Sequence, residues 1–125
     1  MDENALSHEI IGAAIEVHRI LGPGLLESIY EEALVMELQD RHFDVERQAE
    51  VTLTYKSRRL QNILRLDVLV NNLVIIGVKS TERLLAVHEA QLLSYLRLSG
   101  KKLGLLINFN AAVLQGAIRR VVNNL

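Results

Sequence analysis

The sequence predicts an α/β (α+β) protein in which a mixed central sheet is flanked by helices. Apolar residues recur with a helical period over the first forty or so residues and again after residue 85. Between these regions the period falls to two over three short stretches, which is typical of strands. Closely spaced turns join the three stretches and indicate an antiparallel meander. The expected order of elements is ααβββαβα.

The first two helices are separated by Gly22-Pro23-Gly24, because proline lacks the N–H that a continuing helix needs. The first helix covers residues 7–21, with Ser7 as its expected N-cap. The second covers residues 26–42. Helical spacing predicts that each buries one apolar face, made of Ile10, Ile11, Ala14, Ile15 and Ile20 in the first and of Ile29, Ala33, Leu34, Met36 and Leu38 in the second.

The strands follow at residues 49–55, 60–70 and 73–79, separated by the charged turn KSRR and by the pair Asn71-Asn72. A third helix over residues 85–99 ends at Gly100, a residue type that favours the position after a helix C-terminus.

A fourth, apolar strand is expected over residues 102–109, and a final helix over residues 111–125. No internal repeat or linker interrupts the pattern, so residues 1–125 are expected to form one domain.

Composition narrows the function classes. The chain has no cysteine, which excludes disulfides and thiolate metal sites and suits a cytoplasmic protein. No apolar run approaches a membrane span, and the acidic, polar start predicts no signal peptide. A net charge of −1 means that nucleic-acid binding must use local basic patches. Four histidines and 15 acidic residues still allow a metal held by oxygen and imidazole ligands.

The register of the second hairpin decides whether Asp67 and Lys79 can meet. A two-residue turn would place Asp67 opposite Ile76, on the other face of the sheet from Lys79. A three-residue connection places Asp67 opposite Gly77, on the same face as Lys79. Asparagine tolerates the left-handed conformation that such a connection needs. We therefore expect the second register.

An aspartate and a lysine on one face of a sheet can serve phosphate-ester chemistry. The carboxylate would hold Mg²⁺, and the lysine would position a water molecule or stabilise charge on phosphorus. The pair can equally be a structural charge pair, or the lysine can extend from a strand end to solvent. Residue types alone leave both interpretations open.

Two motifs favour the catalytic interpretation. Gly24, Glu27 and Tyr30 form G-x-x-E-x-x-Y, and Gln91 and Tyr95 lie four residues apart on one helix face. With the aspartate–lysine hairpin and the stretches VHEAQLLSYL and LGLLINF, they give a sequence that resembles the GxxExxY family of the PD-(D/E)XK nuclease superfamily. The resemblance extends from about Ile10 to the final IRRVVN.

The resemblance implies a nuclease-like core of order αβββαβ and a Mg²⁺ site. Asp67 matches the metal-binding aspartate of the second core strand, and Lys79 matches the catalytic lysine of the third. Gly77 stands where the family has an acidic metal ligand. Glu27, and with less support Glu31, matches an acidic residue of the first helical layer.

Further residues are assigned by the same resemblance. The backbone carbonyl of Val78 and the side chain of His18 are expected metal ligands. Gln91 and Tyr95 match a Q-x-x-x-Y element near the nucleic acid and the metal, and are expected to join Asp67 and Lys79 in catalysis. His18 and Tyr30 can also be packing residues.

The absence of a carboxylate at Gly77 predicts a weakened metal site, because Mg²⁺ prefers near-ideal octahedral oxygen ligands. Three functions follow: a nuclease-like protein with weak or no hydrolysis of phosphodiester bonds, a non-catalytic binding or assembly module that can form a homodimer, or an active enzyme. In the third, Glu27, Glu31 or Glu50 replaces the missing ligand. The expected partner is nucleic acid, with no membrane association.

Overall fold

A five-stranded mixed sheet forms the centre of the computed structural model, which describes all 125 residues. The strand order in the sheet follows the sequence, β1-β2-β3-β4-β5, and only β3 and β4 run parallel. The elements are α1 (Glu3–Leu21), α2 (Glu27–Asp40), β1 (Val45–Tyr55), β2 (Arg58–Val70), β3 (Val74–Lys79), α3 (Ala86–Ser99), β4 (Leu103–Asn108) and β5 (Ile118–Val122). The predicted mixed sheet with flanking helices is confirmed.

Two hydrophobic clusters lie on opposite faces of the sheet. The larger joins α1 and α2 to the sheet, and its fully buried members include Leu6, Ile10, Leu34, Val68, Ile76 and Phe109. The smaller joins α3 to the other face and includes Leu66, Ile75, Leu92 and Leu106. The segment between β3 and β4 contains α3, since two parallel neighbours cannot be joined by a tight turn.

The helices differ from the sequence prediction at their starts and in part of their buried faces. α1 begins at Glu3 and not at Ser7, because the Asp2 carboxylate accepts a hydrogen bond of 2.8 Å from the Ala5 N–H and caps the helix. The Ser7 hydroxyl instead donates to the Asn4 carbonyl within the helix. Four residues predicted as core are exposed: Ile15, Ile20, Ile29 and Met36.

The C-terminal segment is a strand where the sequence predicted a helix. Only one 3₁₀ turn, Leu114–Gly116, forms in this region, and β5 then pairs antiparallel with β4. The β-branched residues Ile118, Val121 and Val122 suit a pleated sheet, while Gly116 weakens a helix. β5 also satisfies the backbone groups of β4, which would otherwise be an exposed edge.

No helix of the chain combines the length and the apolar character needed to cross a membrane.

Candidate active site

The hairpin between β2 and β3 has the register that the sequence analysis favoured. Val70 pairs with Val74 across a three-residue connection, in which Asn71 and Asn72 have φ values of 51° and 55°. The pairing runs back to Val68 opposite Ile76, so Asp67 lies across from Gly77. The predicted three-residue connection is therefore confirmed.

A cavity of about 170 Å³ lies between the sheet and α3. All four residues predicted to be catalytic line this one cavity: Asp67, Lys79, Gln91 and Tyr95. Its remaining walls are Gly77, His88 and the apolar side chains of Ile75, Ile76, Leu92 and Leu106. The topology thus brings the β2–β3 strand pair and one face of α3, from His88 to Tyr95, to one small pocket with both polar and apolar lining residues.

Asp67 is partly buried in this pocket and is held by the backbone. Its Oδ2 accepts a hydrogen bond of 2.9 Å from the N–H of Val78. Burial raises the pKa of the Asp67 carboxyl above its ordinary value, while the bond from Val78 acts in the opposite direction. Nearby Glu31 and Glu27 raise this pKa further, and Lys79 lowers it. Val78 therefore contributes its N–H here, and the role of its carbonyl as a metal ligand stays a prediction.

β2 changes the face that it buries at Asp67. Residues two apart on a strand normally share a face, yet Leu66 packs with the cluster under α3 and Val68 with the cluster under α1 and α2. On β1, the pairing with β2 skips Gln48, which lies between the pairs Arg47–Val68 and Ala49–Leu66. Gln48 has a φ of 54°, a left-handed conformation that is rare for a residue with a side chain. This local distortion explains how Asp67 can line a cavity beneath α3 while its pKa is raised by the charge of Glu31 on α2.

Glu31 is a buried carboxylate beside this site, and its charge is already compensated. It is 7% exposed and accepts hydrogen bonds from Arg47 Nε at 2.9 Å and from Gln48 Nε2 at 2.8 Å. Sequence reasoning missed Arg47 and Gln48. Strand alternation gives no signal for either residue, because the distortion at Gln48 determines where their side chains go.

The other candidate ligands are distributed differently. Glu27 lies in the first turn of α2 and influences Asp67 through its charge. Glu50 is exposed and lies 3.3 Å from Arg65 in an ion pair. His18 Nε2 lies 2.7 Å from the carbonyl oxygen of Ala111, and His18 lines a separate groove beside α1. The structure does not bring His18 to the cavity, so it is not part of the candidate site.

Gly77 is not required by its backbone conformation, since its φ is not in the left-handed range. A Cβ at this position would lie 3.1 Å from Cδ1 of Leu106, which pairs with Gly77 on β4. A Cβ is therefore accommodated here if Leu106 shifts by a few tenths of an ångström. Position 77 lines the cavity, and the sequence supplies no carboxylate there.

The donor atoms present do not fit a tightly held Mg²⁺ ion. Asp67 is the one acidic residue that lines the cavity, and no group of three or more histidine, aspartate or glutamate side chains in the chain is arranged to hold a metal. Because Mg²⁺ demands near-octahedral oxygen ligation, one carboxylate and backbone atoms leave most positions to water.

Tyr30 of the G-x-x-E-x-x-Y motif fixes the chain that leads into α2. Its hydroxyl donates to the Gly22 carbonyl and accepts a bond of 3.1 Å from the Leu25 N–H. Its buried ring stacks on Phe109 at a centroid distance of 4.8 Å. This tyrosine has a structural role on the opposite side of the sheet from α3.

We expect Tyr30→Phe to lower the free energy of unfolding by about 1–3 kcal/mol, because two backbone groups lose their partner in a largely buried place. Urea unfolding followed by circular dichroism measures this change. The matched control is Tyr55→Phe, whose side chain is exposed and whose effect should stay within about 0.5 kcal/mol. Equal effects of the two substitutions would contradict the structural role.

In a comparison with protein-family models, residues 4–121 match the model described as the PD-(D/E)XK nuclease superfamily. No curated protein and no solved structure matches the chain significantly.

Proposed function

Since this chain belongs to the PD-(D/E)XK nuclease superfamily, we propose that it is a nuclease-like protein whose Mg²⁺ site is incomplete. Its hydrolysis of phosphodiester bonds is then weak or absent. The motif carried by Gly24, Glu27 and Tyr30 supports placing it in the GxxExxY family. Nucleic acid is the partner class that this ancestry favours, and DNA is the substrate that we would test first.

One observation carries the proposal: Gly77 lies across from Asp67 in the cavity that Lys79, Gln91 and Tyr95 also line. These are the positions that the superfamily resemblance selects, and they converge in one place. The position that should carry the second carboxylate has no side chain. Because Mg²⁺ demands near-ideal octahedral oxygen ligation, a site that lacks this carboxylate is expected to bind the ion weakly.

The remaining side chains can still contact a nucleic acid. Lys79 lines the cavity without an ion pair, so its ammonium group is free to contact a phosphate oxygen. Gln91 and Tyr95, one turn apart on α3, offer an amide and a hydroxyl to the same ligand. These groups orient and stabilise charge, and none of them replaces the missing carboxylate.

A non-catalytic binding or assembly module is the second function that the geometry favours over an active enzyme. An active enzyme would need Glu27, Glu31 or Glu50 to replace the ligand. Glu31 is held by Arg47 and Gln48, and Glu50 is paired with Arg65 away from the cavity. Moving Glu31 into the metal site would break its ion pair with Arg47, and this loss adds a free-energy cost to metal binding by Glu31.

Calorimetric titration of the chain with Mg²⁺ and with Mn²⁺ tests the proposal. We expect dissociation constants in the millimolar range or weaker, and little cleavage of plasmid DNA above an EDTA control. Micromolar binding together with metal-dependent cleavage would contradict an incomplete site. Micromolar binding that Glu27→Gln abolishes would identify the migrated carboxylate instead.

A further inference from the structure

The far end of the β1–β2 hairpin extends beyond both hydrophobic cores. We call residues 52–63 the distal ribbon. Every residue in it except Leu53 is exposed, and none belongs to the core clusters on either face of the sheet. Thr52 pairs with Ile63, and Tyr55 with Arg58, so the ribbon remains two-stranded to its tip. An isolated two-stranded ribbon is only marginally stable in water, so the distal ribbon adds little to the stability of the fold.

The distal ribbon carries positive charge alone. Lys56, Arg58 and Arg59 lie within it, and it has no aspartate or glutamate, although the whole chain has a net charge of −1. None of the three cations forms an ion pair with a carboxylate. Lys56 Nζ lies 5.5 Å from the centroid of the Tyr55 ring, and Tyr55 is 58% exposed. The ribbon thus concentrates uncompensated charge on a narrow projection.

The shape of the ribbon selects among nucleic acids. The major groove of B-form DNA is wide enough, at about 12 Å, to admit a two-stranded β-ribbon. The major groove of A-form RNA is deep and too narrow for such an element. From the tip at Ser57 to Asp67 the strand covers roughly 33 Å at ~3.3 Å per residue. This is close to one turn of B-DNA, about 34 Å.

We propose that the distal ribbon docks in the major groove of duplex DNA, with Lys56, Arg58 and Arg59 contacting backbone phosphates. Charge complementarity and the width of the groove support this occupant. The inference deepens the proposed function and rests on its assignment of nucleic acid as the partner, but it requires neither a metal ion nor hydrolysis.

The test measures binding of the full chain to a fluorescent duplex of about two helical turns, ~20 bp, by anisotropy in EDTA. The ribbon variant Lys56→Asn/Arg58→Thr/Arg59→Thr keeps residue types that suit the turn and the strand. We expect it to bind at least about tenfold more weakly at low salt. The slope of log affinity against log salt should fall by about 0.9 for each phosphate that the variant no longer neutralises.

The control variant Arg97→Gln/Lys101→Gln/Lys102→Gln removes the same charge from the last turn of α3 and its connection to β4. It should retain most of the affinity and slope of the unchanged chain. Because EDTA is present throughout, a failed metal site cannot cause a negative result. Circular dichroism checks that both variants fold.

In the binding assay, three outcomes would overturn the proposal: no duplex binding by the unchanged chain, equal reductions of affinity in the ribbon and control variants, or duplex RNA that competes as well as duplex DNA. A second reporter, Tyr55→Trp, places an indole on the exposed ribbon. Its emission should change when duplex DNA is added and stay constant with duplex RNA. Constant emission in the presence of saturating DNA would also contradict docking through this ribbon.

Discussion

Gly77→Glu is expected to raise the affinity for Mn²⁺ and Mg²⁺ at least about 10- to 100-fold. Removing a residue that only supports a metal ligand already lowers metal affinity by about this factor, and Gly77→Glu adds a ligand itself. The substitution adds a carboxylate two residues before Lys79 and across from Asp67. Two carboxylates and water can then approach the octahedral oxygen ligation that Mg²⁺ prefers. Cleavage of plasmid DNA should rise with metal occupancy. Calorimetry and a nicking assay on the same preparation measure both effects.

The same substitution should destabilise the metal-free chain by about 1–3 kcal/mol, because Leu106 must move to accommodate the new Cβ. Metal binding to the folded state should recover stability, since it is linked to the folding equilibrium. Gly77→Gln is the matched control, with nearly the same volume and no charge. If Gly77→Glu and Gly77→Gln show the same metal affinity and cleavage, Asp67 and Lys79 are structural residues.

Asp67→Asn is expected to make the chain more stable at neutral pH. Burial, as the largest cause, raises the pKa of the Asp67 carboxyl in the folded state. Between its unfolded-state pKa and its higher folded-state pKa, such a carboxyl binds more protons in the folded chain than in the unfolded chain. The stability of the unchanged chain therefore falls as pH rises through this interval. Asparagine removes the buried charge and still offers an oxygen to the Val78 N–H.

Urea unfolding of the unchanged chain and of Asp67→Asn, repeated from acidic to alkaline pH, measures this effect. The stability difference between them should grow in favour of Asp67→Asn as pH rises above the ordinary range of an aspartate, and then level off. Asp44→Asn, at an exposed position before β1, is the control and should show no such trend. A loss of stability on Asp67→Asn across the whole range would contradict a destabilising buried carboxylate.

Local patterns were sufficient to predict most of the fold. Proline and glycine at residues 22–24 marked the first break, and the two asparagines with positive φ fixed the hairpin register. The prediction of a helix over residues 111–125 was wrong, because the apolar residues there fit both a helical and a strand period. The segment forms a strand because it pairs with the free edge of β4, which local sequence does not reveal. Ile15, Ile20, Ile29 and Met36 show that helical periodicity does not reveal how wide the covered face is.

The candidate site could be predicted in part. Register and spacing placed Asp67, Gly77 and Lys79 together, and the motif on α3 added Gln91 and Tyr95. The hydrogen bonds that Arg47 and Gln48 donate to Glu31 could not be predicted, because they depend on the left-handed backbone conformation of Gln48 in β1. The sequence placed His18 in the metal site, but it contacts the Ala111 carbonyl instead. The position of a residue along a helix does not determine which distant segment packs against it.

Crystals of the unchanged chain and of Gly77→Glu, both soaked in Mn²⁺, provide the most direct test of the central claim. Anomalous scattering locates the ion without assumptions about activity. We predict no well-occupied Mn²⁺ beside Asp67 in the unchanged chain, and one well-occupied ion between Asp67 and the introduced carboxylate in the variant. A well-occupied ion in the unchanged chain, ligated by Asp67 with Glu27 or Glu31, would contradict the account.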